Sequence, residues 1–492
     1  MARDKRKKRK DHAIKKAAST SKKANKQATK AMRKDARLYG GSSDEEEDIE
    51  SLIKQFAEVD RKKGIATEET ACAAPSPRAN ASWVASPLDN VTCFLFGGEC
   101  FNGSKLRVFG DMFKYRFDKK AWTKISCAVA PGPRSGHQTV ALPSGSLLTF
   151  GGEFATASQN QFHHYKDCWM FDIKESRWTQ LEGPTPSARS GHRMAGWGKF
   201  FVLYGGFFDN GKTVKYHDDL WVFDTTSYAW TKVDMPAASS KPSARSGFQF
   251  FASGDKIYLY GGYAKKIASE DPTTASSSAG NKAHADDREK GIVYSDMWAL
   301  TMSTDLSQLK WEKLKKSGAA PPPRAGCSIA VHKTRAILFG GVEDDDETDG
   351  NSTCWNDMRS FALDVRKWFP YVAKRAKSDA DVVAAEGGGT AADGPEPPPA
   401  GPVFDASVPH PRYNAMLAVQ KNHLLMFGGL FEQGKSEFTL NDLWALNLDK
   451  NGPWECVQRG AWERPAEEEA KQVAAGGQQQ DESDSDSSSD SD

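Results

Sequence analysis

CFLFGG (93–98) returns as LLTFGG (147–152), FVLYGG (201–206), IYLYGG (257–262), AILFGG (336–341) and LLMFGG (424–429). Each is a short apolar run ending in a glycine pair. The first three intervals are 54, 54 and 56 residues, and the later ones are the same period enlarged by insertions. Other landmarks keep phase. An arginine lies 16–19 residues before each pair (Arg78, Arg134, Arg189, Arg245, Arg324, Arg412), usually within P-x-x-R-[SA]-G or P-R-[SA]-G. After each pair an aspartate opens an apolar, strand-like segment: Asp111, Asp167, Asp219, Asp296, Asp357 and Asp442. A tryptophan closes the unit (Trp122, Trp178, Trp230, Trp311, Trp368, Trp454), with Trp311 displaced by an insertion. Segments such as DLWVFD and DLWALNLD have the Trp, Phe and Val content of strands. Each unit therefore reads as four strands. One such sheet cannot bury both faces alone, so the units must stack on one another. The expected fold is all-β, a six-bladed β-propeller over residues 75–458, with insertions at 264–292, 343–354 and 372–408.

The landmarks resemble the kelch repeat. Within it, PSPRANAS (75–82), FGGECFNG (96–103), FGGEFATASQNQFHHYKDCW (150–169), RSGHRM (189–194) and PRYNAMLAV followed by FGGLFEQG (411–434) are similar to the kelch domain-containing protein 4 family. That resemblance implies a Lys-rich start, a short helix, interrupted fourth and fifth blades and an acidic end. It implies little about activity.

In such a blade the chain alternates between the two ends of the disc. Tight turns are expected at one end: 118–121, 143–146, 174–177, 197–200, 225–228 and 253–256. The long connections fall at the other: 99–110, 153–166, 207–218, 263–295, 342–356 and 371–409. Loops on a rigid scaffold carry recognition, so the long-loop face is the expected contact surface. Phe101, Phe154, Phe207, Phe208, Tyr263 and Phe431 follow the glycine pairs and could anchor a protein partner or plug gaps between loops. Glu99, Glu153 and Leu430 accompany them. Arg134, Arg189, Arg245, Arg324 and Arg412 enter from the same end, as Arg78 does. They could ring the channel mouth as contacts or pair structurally with neighbouring aspartates. His137 and His192 belong to the repeat, and His163 and His164 lie in the second long loop. None has the spacing of a metal site, and no cofactor is expected.

Composition fits this reading. Of 492 residues, 38% are apolar and 27% charged, and the apolar residues concentrate between polar ends. No run of 18 apolar residues is present, so no membrane span is expected, and the chain reads as intracellular and monomeric. Eight cysteines without a C-x-x-C pair argue against a zinc or disulfide framework. The net charge of +1 hides a division: 1–38 holds sixteen Lys/Arg, whereas 467–492 holds nine Asp/Glu. Residues 1–43 read as a disordered basic arm in which Lys5, Arg6, Lys7, Lys8, Arg9 and Lys10 form a nuclear or nucleolar targeting run, with non-specific RNA contact as a further use. Cytoplasmic residence is the other option. Residues 44–64 read as an acidic patch and a short amphipathic helix whose Ile49, Leu52, Ile53, Phe56 and Val59 share one face. That helix could dock on the propeller or in a partner's groove. Residues 65–72 stand where an extra strand could help close the ring. Residues 459–492 read as a disordered acidic, serine-rich tail.

The functional expectation is a non-catalytic interaction scaffold. Two alternatives stand beside it: a substrate adaptor of a ubiquitin ligase, and a galactose-oxidase-like copper enzyme, for which no His, Tyr and Cys-Tyr ligand set can be assembled.

Overall fold

The computed structural model describes residues 48–62, 67–211, 213–236, 239–267, 289–344, 352–374, 407–434 and 436–460. The basic run Lys5–Lys10, most of the insertions and the acidic tail lie outside them.

Six antiparallel sheets follow one another along the chain. Blade 1 has strands Ser82–Ala85, Thr92–Phe96, Met112–Arg116 and Ala121–Ser126, and blade 2 has Gln138–Leu142, Ser146–Phe150, Cys168–Asp172 and Arg177–Leu181. Blades 3, 4 and 5 repeat this pattern from Arg193–Trp197, Gln249–Ser253 and Ser328–His332. Blade 6 is built from Met416–Gln420, His423–Gln433, Ser436–Asn447 and Trp454–Gln458. The first strand of each blade neighbours the first strands of the blades on either side, and blade 6 meets blade 1, so the ring is closed.

The core is six apolar layers, one at each junction between blades. Trp122 packs with Phe427 between blades 6 and 1, and Trp178 with Phe96 between blades 1 and 2. Trp230 meets Phe150, Trp311 meets Tyr204, Trp368 meets Tyr260 and Trp454 meets Phe339 at the remaining four. The aromatic residue before each glycine pair therefore receives the tryptophan of the next blade, at ring-centroid distances of 5.1–5.9 Å. Such pairs add specific ring contacts to a large buried area. This explains why F/Y-G-G and W recur in fixed phase.

The ring closes without an exchanged strand. Glu68–Cys72 pairs with Ala121–Ser126 as a fifth, outermost strand of blade 1. It extends that sheet, and the 6–1 junction is held by backbone bonds, Arg78 N–H on Leu440 O at 3.1 Å and Gly429 N–H on Arg78 O at 3.2 Å, and by side chains, notably Trp122 Nε1 donating to Gln458 Oε1 at 2.7 Å and Asn441 Nδ2 to the Pro75 carbonyl at 3.0 Å. Blade 5 gains an outer neighbour too, since Gly318 bridges Trp368 in parallel.

The glycine pair is a close approach of backbones. Gly97 and Gly98 have φ of +69° and +95°, and a Cβ on Gly97 would lie 2.5 Å from the Arg134 carbonyl of the next blade. Two residues past each arginine the backbone is again left-handed: Gly136, Gly191, Gly247 and Gly326 occupy that position in four blades, and Asn80 and Asn414 in the others. Asparagine is the side chain that best tolerates this region, which accounts for R-A-N and R-Y-N in blades 1 and 6. These residues link neighbouring blades through their backbones, with Gly136 N–H on Asn80 O, Gly191 N–H on Gly136 O, Gly247 N–H on Gly191 O and Asn414 N–H on Gly326 O.

Candidate functional site

The two ends of the disc differ as the loop lengths require. One end carries tight turns. At the other, the chain leaving each of the first five glycine pairs forms a two-stranded ribbon: Glu99–Phe101 with Leu106–Val108, Glu153–Ala155 with Phe162–His164, Phe207–Asp209 with Val214–Tyr216, Tyr263–Ile267 with Glu289–Val293, and Val342–Asp344 with Ser352–Cys354. Blade 6 makes its ribbon by running two long strands past the disc. Each ribbon is pinned at its base, where the residue after the arginine bridges the residue after the glycine pair, as Ser135 does with Glu153 and Tyr413 with Leu430.

Beneath the ribbons lie the arginines. All six are 0–2% exposed. Arg134 Nη1 donates to the Gly151 carbonyl at 3.0 Å and, with Nη2, grips Asp167 at 2.8 and 2.9 Å. Arg189 holds Asp219 at 2.6 and 2.9 Å, Arg245 holds Asp296 at 2.6 and 3.2 Å, and Arg412 holds Asp442 at 2.6 and 2.7 Å. Arg324 pairs with Asp357 at 2.5 Å. Burial works against ionisation of Asp167, but the Arg134 guanidinium overrides it and holds the carboxyl below its usual range. The same aspartates accept from an indole two residues on: Trp169, Trp221, Trp298 and Trp444 each donate at 2.7–2.8 Å. Aromatic rings two residues before the aspartate cover the guanidinium, with Arg134 over Tyr165 at 4.0 Å, Arg245 over Tyr294 at 3.8 Å and Arg324 over Trp355 at 4.4 Å. Arg134, Arg189, Arg245, Arg324 and Arg412 are thus buried clamps between the glycine pair and the aspartate, and present no contact surface. Of the two expectations for them, the structural one describes the geometry. Arg78 is the outlier. It lies 3.9 Å from Asp111, which pairs instead with Lys124 at 2.8 Å, and burial pulls its pKa down to about 10.

His137 and His192 are equally interior. Each sits between adjacent glycine pairs, against Phe96 and Phe150 respectively. Burial pushes His137 down to about 3, so it is neutral. Phe248 holds the same place one blade further on, packed against Gly205, which marks the position as a spacer. Among the described residues no group of three or more His, Cys, Asp or Glu side chains is placed to hold a metal ion.

The aromatic residues expected to face a partner have separate fates. Phe101 lines a cavity of about 450 Å³ between the ribbons of blades 1, 2 and 6, together with Glu99, Leu106, Glu153, Ala155, Gln159, Phe162, Leu430 and Glu437. Phe154 is buried. It points to the other side of its ribbon and meets Phe56 edge-on at 5.4 Å. Phe207 and Phe208 pack on His164, Phe431 on His410 and Phe438, and Tyr263 lies over Gly291 of its own ribbon. All five unburied members of the set are half-buried. They brace the crown of ribbons as well as line it.

Phe154 is buried because the amphipathic helix docks there. Helix α1 (Ile49–Lys62) lays Ile49, Leu52, Ile53 and Phe56 on Leu106, Val108, Phe154 and Tyr165. Its first residue donates its N–H to Gln161 Oε1 at 3.2 Å. The Val59 side chain lies outside the described residues. A fourteen-residue helix is marginal alone in water, so packing holds it. Phe154→Ala should release it: in hydrogen exchange, amides of 49–62 should exchange at the rate of an unprotected chain while the strands of blade 2 keep their protection. Unchanged protection of α1 would refute the docking.

The carboxylates of the cavity are the part of the site with unusual electrostatics. Glu99 accepts from Asn80 at 2.6 Å and Ser135 at 2.8 Å, and burial raises its pKa. Burial, with Glu99 beside it, pushes Glu153 up to about 8. Glu437 is raised by burial and shares the Tyr413 hydroxyl with Glu432, at 2.7 and 2.5 Å. Glu437, Leu106, Gln159 and Phe162 were not marked by the repeat. They stand on return strands or loop tips, where only strand register would have placed them.

The KLHDC2/KLHL20/DRC7 Kelch-repeats domain family matches residues 26–262. Kelch domain-containing protein 1 of Mus musculus is 24% identical over 68% of this chain and 70% of its own length. Host cell factor 2 of Homo sapiens is 23% identical over 51% of this chain and 37% of its own. The first curated relatives are spanned over only 4%, 17% and 39% of their length. The solved structure of YjhT aligns with a TM-score of 0.50 over 76% of this chain and 99% of its own, at 16% identity, which shows the fold alone. Repeat, fold and matches together support a kelch-repeat propeller protein. Among the described residues no helix is long and apolar enough to cross a membrane.

Proposed function

We propose that the protein is a non-catalytic interaction scaffold that holds a protein partner on the ribbon face, in the manner suggested for kelch-repeat relatives. The observation that carries this reading is the asymmetry of the disc: tight turns at one end, and at the other a crown of six ribbons, those of blades 1, 2 and 6 enclosing a cavity of about 450 Å³ that mixes aromatic and aliphatic walls with carboxylates. Rigid blades below and variable ribbons above are how a scaffold presents a site. Within this reading we assign the chain to the kelch domain-containing protein 4 family, on the motifs of blades 1, 2, 3 and 6. We also assign the basic run Lys5–Lys10 a nuclear or nucleolar targeting role. A ubiquitin-ligase adaptor would use the same face and is distinguished by a ligase component among its partners.

The test compares captured proteins between two variants. Phe101→Ser with Phe208→Ser alters the ribbon face, and Tyr228→Ser alters an exposed residue of a turn at the opposite end. Partners should be lost from the first and kept by the second. Retention by the ribbon-face variant, with loss from the turn variant, would overturn the assignment of the face.

A further inference from the structure

The cavity and the start of helix α1 meet. Gln161, which binds the first N–H of the helix, sits between two residues of the cavity wall, Gln159 and Phe162. The chain that precedes Ile49 therefore leaves the described structure at the rim of the cavity. That chain carries sixteen Lys/Arg in residues 1–38. The cavity lining contains three carboxylates and neither lysine nor arginine.

We propose that the basic arm, residues 1–38, folds back into this cavity as a tethered ligand, with lysine or arginine head groups at Glu99, Glu153 and Glu437 and their aliphatic stems on Phe101, Leu106, Phe162 and Leu430. This rests on the ribbon face being the binding end. Residues 39–47 reach about 30 Å when extended, enough to turn the arm back over the rim. Long cationic side chains bury their stems on apolar surface and keep the charge with a polar partner, which is the division this wall offers. The donors to Glu99 and Glu437 are neutral: Asn80 and Ser135 on Glu99, and the Tyr413 hydroxyl on Glu437. Half-buried carboxylates so placed repel one another when ionised, and a cationic group between them relieves that cost.

Intramolecular tethering makes such binding effective at any protein concentration, and a partner of the ribbon face must then displace the arm.

Zero-length carbodiimide coupling on the dilute full chain, followed by peptide mass spectrometry, tests this. Amide links should join lysines of 5–34 to Glu99, Glu153 or Glu437 within one copy. The triple variant E99Q/E153Q/E437Q should lose them, and trypsin should cut its arm severalfold faster than in the unaltered chain. Links confined to the acidic residues 44–48 or 467–492, or joining two copies, would overturn the proposal. So would equal trypsin rates. Because the cross-link map of the unaltered chain needs no variant, a folding defect in the triple variant leaves the test intact. Absence of the links while Phe101→Ser with Phe208→Ser still abolishes partner capture would remove the arm from the cavity and leave the ribbon-face reading in place.

Discussion

Arg412→Leu is expected to lower the unfolding free energy by about 3–5 kcal/mol, the cost of stripping one partner from a buried ion pair. The guanidinium makes a bidentate pair with Asp442 at 2.6 and 2.7 Å, a bond to the Gly428 carbonyl at 3.0 Å and, through Nε, one to the His410 carbonyl at 3.0 Å. Its loss leaves Asp442 with the Trp444 indole and no cation in its clamp. The same change at Arg78 should cost clearly less. Asp111 already has Lys124 at 2.8 Å, and Arg78 reaches it only at 3.9 Å, so removing Arg78 strands no carboxylate. Equilibrium unfolding in urea reads both, with the midpoint as the measure. Equal losses at the two positions would show that the clamp acts through packing alone.

This contrast also marks how far the sequence could be read. Glycine pair, arginine, aspartate and tryptophan were legible because each is used once per blade at a fixed distance along the chain, so that the period itself carries them. The aromatic cover of the guanidinium was missed for the opposite reason. Phe109, Tyr165, Tyr294 and Trp355 stand two residues before the aspartate in four blades, but His217 and Leu440 stand there in the other two, and no residue type holds the position in more than two blades. The arginines could be placed at the channel end from sequence, yet whether they faced outward depended on the depth of a side chain beneath the ribbons. Phe154 shows the same limit. Its neighbour Glu153 lines the cavity and Phe154 does not, because the ribbon alternates sides at each residue and its far side is covered by a helix about a hundred residues earlier in the chain. The fifth strand of blade 1 was recognisable as a strand, but its partner was set by the exposed edge of Ala121–Ser126.

Gly340→Val should be nearly as damaging as Arg412→Leu, with a loss of about 3 kcal/mol or more, and for a reason that separates a turn from a contact. At φ +67° a β-branched residue is strained wherever it stands, which accounts for about 1–2 kcal/mol. The rest is collision. A Cβ on Gly340 would lie 2.3 Å from the Arg412 carbonyl, and that carbonyl cannot retreat, because it accepts the Gly341 N–H at 3.0 Å and belongs to the clamp of the next blade. Gly211→Val is the control. Gly211 has φ +76° with nothing within 4 Å of its Cβ position, so it should show the conformational cost alone. A double variant with Arg412→Leu should lose less than the two single losses added, since both act on the same junction between blades 5 and 6. If Gly340→Val and Gly211→Val cost the same, the glycine pair serves only the local turn. If Gly340→Val is worse by the margin of the clash, the pair is what lets one blade's backbone reach the next, and the period of the sequence is the period of that contact.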